Sequence, residues 1–565
     1  MKSKIKAHYL ILILVLVALG GGFLVFALTS GSPPDDADWG FPTMRITVPE
    51  TPFEERDLRQ DGTISVIDPA GNFSFEEAEA MVRGRGNSTW WDGPEKRPLR
   101  FRFAEARSMF GSEYEARNWI LLANLFDRSL LRNYATLYFA DQLGRMDFVP
   151  SVQNVHLYVN DEYMGVYLLT DERDVNPGRL EIEWDPDPSR SGFFLELDAR
   201  APNDAVENED FIIVNHMAYD LRWPDFPDEL TPEHVEYLKA YLEAVSAAIR
   251  ARDFAEIVSL IDLDSFVDFY LVQELVKNID AHYLSVFMHI TGVEDARRLY
   301  KGPVWDFDMV AGNYKDQPLG TGPERLYVAV LNYWYRELMQ TPEFFDAVVT
   351  RWNEIRDVEV AQTIARVQHL ATEYQADFER NFERHPVMGA GTWPTPPELL
   401  EIEDFSGHVA YLVHWLEARA LWMDDFFNGR LPDHDPLWAL VEYYQYESPI
   451  HILLDENPQQ FDIAPVILQD RTIMALPEIV RLLDLNMEYN PATETVTLSR
   501  DGTTITHRYG DTFMDIDGVE TDFLLSSFFS VRGEAFFPLY SVVRAFGFTV
   551  AWHEELERTL VITSP

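Results

Sequence analysis

Two aspartates flank one aromatic residue in the stretch Lys301-Gly302-Pro303-Val304-Trp305-Asp306-Phe307-Asp308. In an extended segment alternate side chains point the same way, so Asp306 and Asp308 can converge on one cation. Oxygen-only ligands of this kind suit Mg²⁺ or Mn²⁺ bridging phosphates. Taken alone, the stretch reads equally as a turn whose carboxylates cap backbone N–H groups. A further carboxylate, Asp280, lies in Asn278-Ile279-Asp280-Ala281-His282, where an apolar helical pattern ends. A carboxylate at the rim of a core can be partly desolvated and act as a general base. The plainer alternative there is a helix stop at Asn278. Upstream, Gly84-Arg85-Gly86-Asn87-Ser88-Thr89 is followed by Lys96-Arg97-Pro98. A glycine-rich turn lets backbone amides approach phosphate, and Lys96 supplies positive charge. The spacing is not that of a Walker loop, because no Gly-Lys-Ser/Thr opens a helix. Glu172, at the end of a strand pattern, can pair with Lys96; a solvated surface carboxylate is the default alternative.

These residues need elements to hold them. Leu99, Phe101 and Phe103 alternate with Arg100 and Arg102 as a strand does. Val155 to Val159 and Tyr163 to Leu169 read as two strands joined by a turn at Asn160-Asp161-Glu162. Helices follow. Thr231 and Pro232 form a start signal for the stripe Val235, Leu238, Leu242, Val245 and Ile249. A second helix, Asp264 to Asn278, is apolar on most sides and therefore deeply buried. Further helices are expected from Pro342 to about Glu383. Another is expected from Gly407 to Phe427, with Trp415, Leu416, Leu421 and Trp422 inward. Strands first and helices later make an α+β domain. Beyond a connector, Val480-Arg481 recurs as Val543-Arg544 and Tyr489 as Trp552, each pair 63 residues apart. Two copies of a short helix and a strand pair imply one pseudo-symmetric domain rather than a solenoid.

Composition narrows the function. The chain has 565 residues, enough for two to four domains, and a net charge of −48. So acidic a surface repels nucleic acid and anionic lipid, and attracts cations or basic proteins; it also serves simply to keep an exported chain soluble. The absence of cysteine excludes disulfides, zinc–thiolate and iron–sulfur sites, cysteine nucleophiles and lipoprotein anchoring. Lys2, Lys4 and Lys6 precede an apolar run from Tyr9 to Leu28, and Asp35, Asp36 and Asp38 follow it. This pattern predicts a signal anchor, or a cleaved signal peptide, with the bulk of the chain outside the cell membrane. The histidines near the C-terminus, His451, His507 and His553, show no copper-ligand spacing.

The ordered stretches GRGNSTW (84–90), KRPLRFRF (96–103), NWILLANLFDRSLLRN (118–133), YVNDEYMGVYLLTDE (158–172), ELVKNIDAHY (274–283), GPVWDFDMVAGN (302–313) and YLVHWLEAR (411–419) together resemble the CotH kinase family of atypical, spore-coat protein H-like bacterial kinases. The resemblance covers about Met44 to Asn428 and implies a divergent protein-kinase-like fold. It implies that Lys96 holds the nucleotide phosphates of ATP and that Glu172 orients Lys96. It implies further that Asp280 accepts the proton of a Ser or Thr hydroxyl, with Asp306 and Asp308 on Mg²⁺ or Mn²⁺. Ser285 stands where ordinary kinases place a metal-binding Asn, five residues after the catalytic Asp. The 118–133 stretch is expected to be structural, with Asp127, Arg132 and Asn133 in a buried polar network. The stretches 475–498 and 536–562 resemble the stalk-like domain named after the copper amine oxidase N-terminus, a spacer module without oxidase chemistry.

The expected organisation is thus a signal segment and linker (1–43), a kinase-like domain (44–428), a linker (429–449) and a small pseudo-repeated α+β domain (450–565). The expected function is an exported Ser/Thr kinase acting on a basic Ser/Thr-rich surface or coat protein. The competing expectations are a non-catalytic cell-surface or spore-coat scaffold, and a carboxylate-based glycosidase that leaves Lys96 and the glycine-rich turn unexplained.

Overall fold

The computed structural model describes residues 39–565 apart from 72, 91–95, 110–111, 113, 201–210, 215–216, 225–229, 317, 392, 432–440, 442–444, 446–447, 469–470, 510, 512, 523–527, 530–534 and 554–555. The apolar run at Tyr9–Leu28 and most of the 429–449 connector lie outside the described residues. Among the described residues no helix is long and apolar enough to cross a membrane.

The chain is α+β. Seven strands close into a barrel in the order β1-β2-β3-β4-β5-β7-β6. They are β1 Thr43–Thr47, β2 Gln60–Ile67, β3 Phe75–Gly84, β4 Leu99–Arg107, β5 Ala116–Leu122, β6 Val152–Val159 and β7 Glu162–Asp171. Closure comes from the parallel pairing of β1 with β6. Period-two alternation fills the barrel: Leu99, Phe101 and Phe103 of β4 pack inside with Trp119, Leu157 and Tyr167, as the sequence pattern requires. The expected β6–β7 hairpin forms, and Asn160 and Asp161 turn it with φ of 48° and 66°. Two consecutive left-handed residues match the twist of the flanking strands, and Asn and Asp tolerate that region.

Outward residues of the same strands, Ile120, Leu122, Val166 and Leu168, join a second core under α1 (Arg132–Leu143). A five-stranded sheet continues the fold in the order β12-β11-β8-β10-β9. Its strands are β8 Phe193–Leu197, β9 Phe211–Val214, β10 Met217–Trp223, β11 Val286–Thr291 and β12 Arg298–Lys301. In α2 (Pro232–Ala251) Thr231 is the N-cap residue, but its hydroxyl bonds the His234 ring (2.8 Å) and not a backbone amide. Helix α3 (Leu263–Val276) is buried at every position from Ser265 onward. Its two acids in that stretch are each paired: Asp268 with Arg351 at 2.8 Å and Glu274 with Arg419 at 2.7 Å.

The helices expected from Pro342 to about Glu383 form as α4 (Pro342–Ile355), α5 (Ala361–Glu373) and α6 (Gln375–Arg384), with a π-turn at Arg356–Val360 between the first two. One helix expectation is corrected. In α7 (Phe405–Phe427) Trp415 and Leu416 are buried, but Leu421 is 64% exposed, because it falls off the stripe that faces α3 and α5.

The C-terminal repeat is real in three dimensions. Strand β13 (Arg471–Ala475) leads into α8 (Leu476–Leu483) and the hairpin β14 (Asn486–Asn490) and β15 (Thr495–Arg500). Strand β16 (Ala535–Pro538) leads into α9 (Leu539–Ala545) and the hairpin β17 (Thr549–Trp552) and β18 (Thr559–Thr563). The two lead strands pair antiparallel, with Ile473 opposite Pro538, Met474 opposite Phe537 and Ala475 opposite Phe536. Met474 and Phe537 are repeat equivalents, so a pseudo-two-fold axis passes between them. His507 is buried and bonds the Phe513 carbonyl oxygen (2.7 Å), which is a packing role.

Candidate active site

The glycine-rich turn is the roof of a cleft of about 200 Å³. Strand β3 ends at Gly84, where an added Cβ would lie 2.2 Å from the Trp90 ring and 2.8 Å from the Arg56 carbonyl. Trp90 in turn donates its indole N–H to the Arg85 carbonyl oxygen (2.6 Å). The turn thus folds back on its own tryptophan and presents Arg85 to Thr89 to the cleft. Replacing Gly84 by Ala displaces Trp90 and is expected to destabilise the protein by about 1–3 kcal/mol, as overpacking does. Urea unfolding measures this, and an unchanged midpoint contradicts the packing described.

The floor is built from α3 and the strand–turn segments after it. Helix α3 stops at Lys277, which is left-handed with φ 48°. The Asn278 side chain then accepts the Asp280 N–H (3.0 Å), turning the chain so that Asp280 follows the helix end directly. A helix stop is made, at Lys277 rather than Asn278, and Asp280 just beyond it is 6% exposed.

Asp306 and Asp308 both line the cleft, together with Ser285. They do not converge by strand alternation: Asp306 is left-handed with φ 68°, and a turn follows. That turn is clamped from several sides. The Phe307 N–H donates to Asn133 Oδ1 (2.9 Å), the Ala311 N–H to the Val276 carbonyl oxygen (2.8 Å), and Asn313 Nδ2 to the Asp308 carbonyl oxygen (2.7 Å). Arg132, ion-paired with Asp127 at 2.6 Å, donates to the carbonyl oxygens of Val310 (2.9 Å) and Ala311 (3.2 Å). The 118–133 network is structural, as expected, and its structural task is to hold the Asp306–Asp308 turn. Asn124 and Asn133 also reach the cleft wall, which their motif alone did not reveal.

The electrostatics of the three aspartates are mutually unfavourable. Burial pushes Asp280 well above the usual carboxylate range, and the charges of Asp306 and Asp308 push it further, against Arg200. Asp308 is raised for the same reasons, first by burial and then by Asp306 and Asp127. Because the native pKa of Asp280 exceeds the unfolded value of about 3.9, stability falls as pH rises from that value through the native one. Asp280→Asn removes that loss. It is expected to raise the melting temperature at neutral pH, which differential scanning calorimetry reads. A lowered melting temperature contradicts the crowding of carboxylates.

This crowding is what a divalent cation relieves, and two carboxylates are the donor set that Mg²⁺ or Mn²⁺ takes from protein when phosphates complete its shell. Among the described residues no group of three or more His, Asp or Glu forms a metal cage. Asp306 and Asp308, both on the cleft wall, are the residues that could hold such a cation if phosphate supplied the remaining ligands. Ser285 donates to Asp306 Oδ2 (3.4 Å) and so orients that carboxylate.

The expected Lys96–Glu172 pair is not made. Lys96 is 2% exposed, donates to the Val166 carbonyl oxygen (2.6 Å), lies 5.0 Å from the centroid of the Tyr167 ring and is absent from the cleft wall. Burial lowers its ammonium to about 7, against the pull of Asp127. Glu172 instead meets Arg100 at 3.0 Å and Arg173 at 3.3 Å. Burial alone would raise its carboxyl, but Arg173, Arg100 and Arg85 together hold it below the usual range. The pairing fails because β4 turns Arg100 outward toward Glu172, while Lys96, before the strand begins, points into the packing over β7. The cations that do line the cleft are Arg85, Arg173, Arg200 and Arg222.

A comparison with curated proteins finds no match. The copper amine oxidase N-terminal domain matches residues 453–562, the pseudo-symmetric C-terminal domain. The CotH kinase protein family matches residues 82–423, from the glycine-rich turn through the aspartate floor into α7. The chain belongs to the CotH kinase protein family.

Proposed function

We propose that the protein transfers the γ-phosphoryl group of ATP to a Ser or Thr hydroxyl of another protein. The observation that carries this reading is a cleft lined by Asp306, Asp308 and four arginines beneath a glycine-rich turn, with buried Asp280 outside the cleft lining yet close enough to feel the charges of both aspartates. Asp306 and Asp308 would hold Mg²⁺ or Mn²⁺, whose chemistry is to bridge the phosphates and neutralise charge developing on them. Asp280 takes the acceptor's hydroxyl proton as its oxygen bonds to the γ-phosphorus; the bond to the bridging oxygen breaks and ADP leaves. An acid held above the ordinary carboxylate range is better matched to that task than a solvated one.

The N-terminal apolar run supports an extracytoplasmic location, with that run as membrane anchor or removed signal. The net charge of −48 favours a basic Ser/Thr-rich surface or coat protein as acceptor and disfavours nucleic acid. A non-catalytic scaffold is the second reading, favoured by Ser285, since a hydroxyl is a poorer metal ligand than an amide oxygen. The reading is tested by incubating the purified protein with ATP, Mn²⁺ and a basic Ser-rich peptide and weighing the peptide by mass spectrometry. A gain of one phosphoryl group with the parent and none with Asp280→Asn supports it. An unmodified peptide and no metal-dependent ATP binding leave the scaffold reading.

A further inference from the structure

Four arginines line the cleft, and two of them are committed to carboxylates on the neighbouring sheet. Arg200 binds Asp198 through two nitrogens (3.0 and 2.8 Å). Arg222 binds Glu196 through Nε (2.8 Å) and reaches Asp220 at 3.2 Å. Arg85 and Arg173 are arranged differently. The guanidinium carbon of Arg173 lies 4.0 Å from the Trp305 ring centroid and 4.7 Å from that of Phe287, so two aromatic rings hold it. Its contact with Glu172 fixes one further direction. The guanidinium carbon of Arg85 lies 5.5 Å from the same Trp305 ring. Two cations therefore share one indole, and the next residue in the chain is Asp306.

A guanidinium stacked on a ring keeps its N–H edge available in a fixed orientation, which suits the paired oxygens of phosphate. Two like charges on one ring repel, and an anion between them relieves that repulsion. Burial, then Arg173, lowers Arg85 to about 10, against the pull of Glu172 and Asp306. A phosphate chain lying against Arg85 and Arg173 also reaches a cation on Asp306 and Asp308, so one ligand satisfies both halves of the cleft.

We propose that Arg85 and Arg173, and not Lys96, grip the phosphate chain of the nucleotide. This rests on the kinase reading for the nucleotide itself, but the grip on polyphosphate stands or falls separately. Calorimetric titration with metal-free tripolyphosphate, and with Mn²⁺ and ATP, distinguishes the two. Parent, Arg85→Gln, Arg173→Lys and Lys96→Met are compared, with near-ultraviolet circular dichroism to show native packing. Each arginine variant is expected to bind both ligands about tenfold or more weakly, the scale of a lost charge-assisted bidentate contact. Lys96→Met is expected to bind both as the parent does. Tripolyphosphate held in an arginine-dependent way without any preference for ATP upholds the grip and sinks the kinase reading. ATP bound as tightly by both arginine variants as by the parent, or lost only in Lys96→Met, overturns the grip and leaves the kinase reading standing. A parent that binds neither ligand overturns both.

Discussion

Asp306→Ala is expected to remove metal-dependent nucleotide binding and to lower phosphoryl transfer by about 10³-fold or more, because positioning and charge neutralisation supply most of the catalysis in this chemistry. The fold should survive the change. Asp306 is a cleft residue bonded to Ser285, while the turn around it is held by backbone contacts to Asn133, Val276 and Asn313. Removing one of three crowded carboxylates also relieves Asp280 and Asp308. Against that relief stands the left-handed backbone at Asp306 (φ 68°), which Ala adopts less readily than Asp; whatever its baseline, the variant is expected to lose the rise in melting temperature that Mn²⁺ and ATP give the parent. Retention of that rise would show that the cation is held elsewhere.

Arg132→Met is expected to have the opposite signature, a large loss of stability far outweighing any direct effect on ligand contact. Arg132 and Asp127 are each at most 1% exposed and lie 2.6 Å apart. Removing the arginine leaves the buried Asp127 charge without its ion-pair partner, held only by the Ser129 N–H and hydroxyl and the residue-132 N–H, which costs about 3–5 kcal/mol. It also frees the carbonyl oxygens of Val310 and Ala311, the downstream anchor of the Asp306–Asp308 turn. Urea unfolding measures the loss. The double variant Asp127→Asn with Arg132→Met should recover part of it, because the unpaired charge is then gone. A single-variant cost below about 1 kcal/mol would mean that the pair is not the clamp described.

Residue patterns reached the local elements well and the long-range pairings badly, for physical reasons. Alternation in Leu99–Phe103 identified a strand and its inward face, since period two is local. Helix α3 was legible as buried because apolar residues lie on most of its sides; that Asp268 and Glu274 would be buried with it and paired to Arg351 and Arg419 was not. The internal repeat was legible because its two copies keep the same element order, and their lead strands pair across the pseudo-two-fold. Barrel closure between β1 and β6 was not legible; it joins strands about a hundred residues apart with no local signal. The candidate aspartates came together as their spacing suggested, although through a left-handed Asp306 and not through an extended strand. The Lys96–Glu172 pairing failed because alternation along β4 says which side chains leave the barrel, not which of them meets β7's end. Arg85 and Arg173 were missed because each stands beside a residue with a more familiar role, the turn glycines and Glu172. Their common feature, the Trp305 ring, is more than a hundred residues away in the chain.

The measurement that bears most directly on the central claim uses ATP labelled in turn at the γ- and the α-phosphorus, with Mn²⁺ and a basic Ser-rich acceptor. Label is expected to move to the acceptor from the γ-position only, and Asp280→Asn and Asp306→Ala are each expected to abolish the transfer. Label moving from the α-position, or γ-transfer undiminished in both variants, would contradict that claim.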